Sequence, residues 1–352
     1  MKIIHIADVH WRGLTRHQEY KDSFSDMFRQ CREIEPDCFL IAGDIVHSKT
    51  QGISPELIDC LNWWFTEMSR IAPVHVTLGN HDGLVLNHDR QDAISPILRA
   101  LNLHNVYLYR DSGVYPDEKL NINWCVFSPF DEEGYKSVKP KNDGRINIAT
   151  YHGAVWGSHT DMNWMLEGDT KMDLFKGFDF TMLGDIHKRQ AMDVEKRVWY
   201  PGSTIQQNYG ETPEKGFLLW EIEDKNNFDV KFFPMKHNNP FVTIDFDKNV
   251  QNTVNKCKSF PSRSRFRIRS QKQLDPKTQR SLSNVLRREF NADEVVYKVD
   301  IDASAEAILK EHRSKMQIDD LHDVETHKTL LREYVGDEIG EIDFWPQVDK
   351  IM

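Results

Sequence analysis

Phe39-Leu40-Ile41-Ala42-Gly43-Asp44-Ile45-Val46-His47 is the stretch whose reading decides the fold. Its apolar start reads as a strand buried on both faces, which is how parallel strands look in α/β proteins. It stops at Gly-Asp. The glycine permits a sharp turn. The aspartate then stands at the carboxyl end of the strand, where open α/β sheets place their ligands. Gly-Asp after a strand is common, so the stretch gains weight only from others built the same way.

Four others exist. Residues 2–7 are apolar and β-branched and run into Asp8-Val9-His10. If strand geometry continues, Asp8 and His10 fall on one side. Residues 74–78 lead into Gly79-Asn80-His81-Asp82, residues 146–151 into His152-Gly153, and residues 178–183 into Gly184-Asp185-Ile186-His187. Asp, Asn and His without Cys suit an oxygen-preferring or borderline ion, meaning manganese, magnesium or iron rather than structural zinc. Asp8, His10, Asp44, Asn80, His152, Asp185 and His187 suffice for two ions sharing one carboxylate. Such pairs suit phosphate-ester hydrolysis.

Between these runs the spacing predicts helices. Phe24, Met27, Phe28 and Cys31 repeat at helical intervals over 20–34, and Pro36 closes that segment. Ser54 and Pro55 are an N-cap and a first helical residue, followed by Leu57, Leu61, Trp64, Phe65 and Met68 as a core face. Strands are expected near 106–109 and 123–127, and a polar loop over 131–144. Residues 199–203 and 215–222 read as a strand, a tight turn and a returning strand. Lys236-His237-Asn238-Asn239-Pro240 reads as a linker.

The expected organisation is a phosphoesterase domain over 1–235, a small α/β domain over 241–302, and a helical segment over 303–352. In the small domain, strands are expected over 241–246, 264–268 and 294–301, with helices over 250–258 and 276–290. Arg263, Arg265, Arg267 and Arg269 alternate with Ser264, Phe266, Ile268 and Ser270. On a strand the arginines share one face. A row of like charges suggests either a polyanion or a charge-protected edge strand.

Bulk properties narrow the class. The chain has 352 residues and a net charge of −10, which argues against a general nucleic-acid binder while leaving room for a local basic patch. No apolar run approaches the ~18–20 residues of a membrane span. The amino terminus reads as a core strand of a cytoplasmic protein rather than a signal peptide. The five cysteines contain no Cys-x-x-Cys, so no disulfide framework or zinc ribbon is indicated. The phosphate loop of ATP-binding proteins is absent from the sequence.

The order Asp-x-His, Gly-Asp, Gly-Asn-His-Asp, His-Gly, Gly-x-x-His resembles the calcineurin-like metallophosphoesterase superfamily. Gly43-Asp44-Ile45-Val46-His47-Ser48 and Tyr200-Pro201-Gly202-Ser203-Thr204-Ile205-Gln206-Gln207-Asn208-Tyr209-Gly210-Glu211, with Lys215-Gly216-Phe217, resemble the SbcD-type nuclease subunits within it. The resemblance implies a two-sheet α/β sandwich, a DNA-capping domain and partner-binding helices. It implies two manganese ions, with magnesium as the alternative. Asp8, His10 and His187 would hold one, Asn80, His152 and Asp185 the other, with Asp44 between. It implies that His81 contacts the scissile phosphate and protonates the leaving oxygen, and that His47 orients the DNA strand. It implies sequence-independent DNA contact by the arginine strand, homodimerisation, and docking on an SbcC-like coiled-coil ATPase. The family usually has Gly-His-x-His where this chain has Gly184-Asp185-Ile186-His187, a variant that resembles phage-encoded members and would place the protein in a host cytoplasm. A phosphatase or small phosphodiesterase of the same superfamily, or a DNA-binding scaffold with a silent site, are the competing readings.

Overall fold

The computed structural model describes residues 1–47, 53–87 and 90–300; the helical segment expected over 303–352 lies outside them. The chain begins β1 (Lys2–Ile6), α1 (His17–Ile34), β2 (Cys38–Ala42), α2 (Pro55–Ile71), β3 (Val74–Thr77), α3 (Ile94–Leu101) and β4 (Val106–Tyr109). A second run follows with β5 (Gly113–Asp117), β6 (Ile122–Phe127), β7 (Ile146–His152), β8 (Phe180–Gly184), β9 (Gln190–Ala191) and β10 (Val198–Tyr200). Then come β11 (Gly216–Ile222), β12 (Phe228–Pro234), β13 (Phe241–Asp245), α4 (Val250–Cys257), β14 (Arg265–Ser270), α5 (Pro276–Phe290) and β15 (Glu294–Val299).

Two six-stranded sheets result, ordered β12-β11-β1-β2-β3-β4 and β5-β6-β7-β8-β10-β9. The central strands are parallel, and antiparallel partners close the edges at β12, β5 and β9. Strand alternation splits each buried run between two cores. Ile3 and Leu40 face Trp124, Ile148, Phe180 and Met182 between the sheets. Ile4, Ile6, Phe39 and Ile41 face Tyr20, Phe24, Leu61 and Trp64 on the helix-covered side. The α2 cap is as the sequence predicts, with Ser54 Oγ accepting from Leu57 N at 3.1 Å. Each fully buried large side chain contributes about 1.5–3 kcal/mol.

Three features differ from the expectation. Helix α1 starts at His17 behind Arg16, whose φ of 64° and lack of a side-chain cap leave no start signal. Edge strands β5 and β12 and the short helix α3 are additions to the expected elements. Strands β10 and β11 are not a hairpin. β10 lies beside β8 in one sheet and β11 beside β1 in the other, so residues 201–215 cross between sheets.

The third sheet is β13-β14-β15, with α4 packed on α5 and β13. Phe266 and Ile268 are buried with Leu282 and Leu286 as its core residues. Contacts group Met1–Ile268 with Pro276–Tyr297 in one compact unit, to which Arg269–Asp275 and the described residues 298–300 do not belong.

Candidate metal centre

The loops after β1 and β2 are stitched together by backbone hydrogen bonds. Asp8 N donates to Gly43 O at 3.1 Å, His10 N to Asp44 O at 2.9 Å and His47 N to Trp11 O at 2.9 Å. Val9 and Trp11 are buried in the core, and Trp11 stacks on Tyr20 at 4.6 Å. The alternate residues Asp8 and His10 therefore turn the other way. This is not continued strand geometry: Asp8, His10, Asp44 and Asp185 have φ of 53°, 55°, 54° and 95°. Left-handed backbone costs non-glycine residues of order 1–3 kcal/mol each and gathers at functional sites. The chain kinks at the ends of β1, β2 and β8, and the pairing of Asp8 with His10 comes from the first of these kinks.

Two further devices hold the loops. Asp82 accepts from Ile45 N, Val46 N and Gly79 N at 2.9, 3.0 and 2.8 Å, tying the loop after β2 to the one after β3. Gly43, at φ +86°, leaves no room for a side chain, since an added Cβ would lie 2.3 Å from His152 Nδ1.

Three groups of ligand atoms lie within metal-binding reach among the described residues: Asp8, His10 and His187; His10, Asp44 and His81; and Asp8, Asp44 and His152. Asp44 is the hinge. Its Oδ2 is 3.6 Å from His10 Nε2 and its Oδ1 is 3.2 Å from His152 Nε2. Asp185 Oδ1 is 3.8 Å from His152 Nε2, and Asp185 N donates to both Asp8 oxygens at 3.0 and 3.1 Å. The Asn80 Oδ1 is buried and finds no hydrogen-bond partner among the described residues.

The imidazoles are oriented from behind. His152 Nδ1 donates to Ala42 O at 2.8 Å and His81 Nδ1 to His47 O at 2.6 Å. His187 Nδ1 donates to Glu211 Oε1 at 2.8 Å. Each bond directs the other ring nitrogen into the centre, as in metal-ligating histidines generally. His10 Nε2 and His187 Nε2 then face each other at 3.0 Å. Two such nitrogens, an orphaned amide oxygen and clustered carboxylates fit divalent ions of the kind bound by this donor set.

The electrostatics agree. Burial pushes the Asp8 carboxyl up to about 7, only partly offset by His152 and His187. Burial also opposes the charge on Asp44, yet His152, His10 and His81 hold it well below the usual carboxylate range. His152 is raised despite burial, because Asp44, Asp8 and Asp185 surround it. Positive charge is favoured on His152 by its three carboxylate neighbours, while burial lowers His10 well below its usual value.

His47 is half-buried behind the centre. Its Nε2 accepts from Arg12 Nη1 at 2.8 Å, and burial and Arg12 lower it to about 4. It is held neutral, and its backbone oxygen sets His81. The arginine strand is less uniform than its spacing suggests. Arg265 is buried, with Nη2 2.7 Å from Glu19 Oε2 and Nη1 donating to Asn239 O at 2.7 Å. Arg267 is half-buried, donates to Tyr209 O at 3.1 Å and lies over that ring. Arg263 is exposed beside Asp293 at 3.3 Å, and Arg269 is exposed with Asp300 at 3.5 Å.

Glu211 and Lys215 are the functional residues that residue-by-residue reasoning passed over. Glu211 is buried and accepts from Ser203 Oγ, Gln207 N and Asn208 Nδ2 as well as His187. Burial works against its charge, but His187 and Lys215 bring it down to about 2. Lys215 Nζ lies 3.2 Å from Glu211 Oε2 and 3.1 Å from Asp161 Oδ2, and donates to His187 O at 2.8 Å. The signal was present as a Glu and a Lys four apart inside the quoted stretch over 200–217.

The calcineurin-like phosphoesterase family model matches residues 1–189. The protein R555 of Acanthamoeba polyphaga mimivirus is 35% identical over 241 residues, 64% of this chain and 18% of that one. A putative phosphoesterase, 244L, of Invertebrate iridescent virus 6 is 26% identical over 239 residues, covering 63% of this chain and 77% of the relative. The SbcD component of the nuclease SbcCD of Staphylococcus epidermidis is 24% identical over 273 residues, covering 67% of this chain and 70% of the relative.

Proposed function

The chain belongs to the calcineurin-like phosphoesterase family, and from that premise we propose that it hydrolyses DNA phosphodiesters with two divalent ions, manganese or magnesium. The observation that carries the reading is Asp44, whose two oxygens lie toward His10 on one side and His152 on the other. We assign Asp8, His10 and His187 to one ion and Asn80, His152 and Asp185 to the second, with Asp44 shared. Bound there, the ions supply Lewis acidity and an activated water for in-line attack. The side chains do the rest. His81, anchored through Nδ1, keeps Nε2 for a proton at the leaving oxygen. His47, kept neutral by Arg12, holds His81 in that orientation and lies beside the path of the strand.

DNA is favoured over a small phosphoester by the similarity to a nuclease component and by the likeness of residues 200–217 to the SbcD-type subunits. We place backbone contact on the exposed members of the arginine strand, with residues 241–302 as the DNA-facing module beside a phosphoesterase domain over 1–235. An SbcC-like ATPase docking on 303–352, a homodimer, and a host cytoplasmic site complete the proposal. No helix among the described residues is long and apolar enough to cross a membrane.

The test is cleavage of end-labelled duplex and single-stranded DNA with manganese, beside Asp44→Ala. Cleavage that vanishes in the variant supports the reading. A folded, metal-loaded protein that cuts neither DNA but hydrolyses bis(4-nitrophenyl) phosphate would reduce it to a small-molecule phosphodiesterase.

A further inference from the structure

The segment after β7 folds into a hairpin over residues 157–166. Val155 bridges to Thr170 and His159 to Met165. Gly157 N donates to Leu166 O at 3.0 Å, Leu166 N to Ser158 O at 2.7 Å and Thr160 N to Trp164 O at 2.9 Å. Its tip is fastened to the residues behind His187. Asp161 accepts from Thr212 Oγ1 at 3.0 Å and from Lys215 Nζ at 3.1 Å. His159 and Gln190 exchange bonds of 2.9 and 2.8 Å, and Lys188 Nζ bonds to Asn163 Oδ1.

On this fastened hairpin, Trp156, Met162, Trp164 and Met165 are 52, 62, 63 and 49% exposed. Holding that much apolar surface in water is unfavourable, and such patches mark binding sites. The patch continues into the metal centre. Met162, Trp164 and Leu166 form one wall of a cleft of about 430 Å³ whose other wall is Asp185, His187 and Lys188.

We propose that this cleft seats an unpaired nucleobase of the strand being cut, stacked on Trp164 against Met162. The inference rests on the reading of the centre as a DNA nuclease. The cleft shares Asp185 and His187 with that centre, so its occupant is whatever presents a phosphate there. That occupant is anionic at one end and flat and apolar at the other, which describes a nucleotide. Lys188 supplies a cation at the rim for a neighbouring phosphate. A base stacked and paired inside a duplex has no free face, so the cleft selects single strands and frayed ends. Base–aromatic stacking is sequence-tolerant, consistent with cutting that ignores sequence.

The experiment uses the full chain with manganese and duplexes carrying an unpaired overhang. One set has natural bases beside the cut phosphate and the other an abasic residue there. The expected wild-type preference for the natural strand is roughly 10- to 100-fold, the range of one stacking contact. Trp164→Phe keeps that preference and Trp164→Ala brings the ratio close to one. Without metal, a single-stranded oligonucleotide quenches tryptophan fluorescence in the wild type and less in Trp164→Ala. Equal wild-type rates on natural and abasic strands overturn the proposal and leave the patch as a protein-docking face. Failure to cut any DNA, with bis(4-nitrophenyl) phosphate still hydrolysed, overturns the nuclease reading beneath it.

Discussion

His187 Nδ1 lies 2.8 Å from Glu211 Oε1, and that contact joins the candidate metal centre to a crossing segment that contributes no ligand of its own. Glu211 fixes which nitrogen of His187 faces inward and is itself held by Lys215 at 3.2 Å. Glu211→Gln keeps the shape and removes the charge. Metal affinity is expected to fall by about 10- to 100-fold, the usual cost of losing such a partner. Manganese titration by calorimetry reads it directly. Unchanged affinity would show that Glu211 serves the fold alone.

Much of this was legible from residue types. Asp44 stands where its Gly-Asp context placed it, and Ser54-Pro55 begins α2 as predicted. What was not legible has physical causes. Asp8 and His10 face one way through left-handed backbone, which no side-chain pattern announces. Arg265 reads as a surface charge until Glu19, 246 residues away in the chain, is found beside it. Long-range ion pairs have no local signature.

Asp185 makes a prediction about metal choice. It places a carboxylate where the resembling family has a histidine, 3.8 Å from His152. An added anionic oxygen favours harder ions over those that prefer nitrogen. In Asp185→His, magnesium-supported hydrolysis of bis(4-nitrophenyl) phosphate is expected to fall relative to manganese-supported hydrolysis, several-fold or more. An identical ratio in both proteins would remove the argument.

The arginine strand separates into two roles by stability. Arg265 is buried against Glu19 and caps Asn239 O. Removing one partner of a buried pair costs about 3–5 kcal/mol, and Arg16 still faces Glu19 at 2.7 Å, so Arg265→Ala is expected near the lower end. Arg263, with a half-exposed side chain beside Asp293, is expected to cost under about 1 kcal/mol. Urea unfolding of the two variants tests the contrast. Equal losses would mean that the buried pair contributes no more than the surface one.

His75 predicts how stability depends on pH away from the metal centre. Its ring is buried among Tyr107, Tyr109 and Trp124, and its Nδ1 lies 2.8 Å from the Tyr109 hydroxyl. Burial lowers it from 6.5 to about 4, with Asp117 only partly opposing. The folded state therefore keeps His75 neutral where the unfolded state has taken a proton. Its contribution is fully present above about 6.5 and is lost progressively as pH falls toward 4, at up to about 1.4 kcal/mol per pH unit. His5, lowered by burial to about 3, adds a slope of the same sign. His75→Phe keeps an aromatic ring in the stack and removes one titration. Its unfolding free energy is expected to lose one proton's worth of slope between pH 6.5 and 4 while the His5 part persists. Chemical denaturation across that range checks it. A slope equal to the wild type's would mean that His75 takes up its proton inside the folded protein.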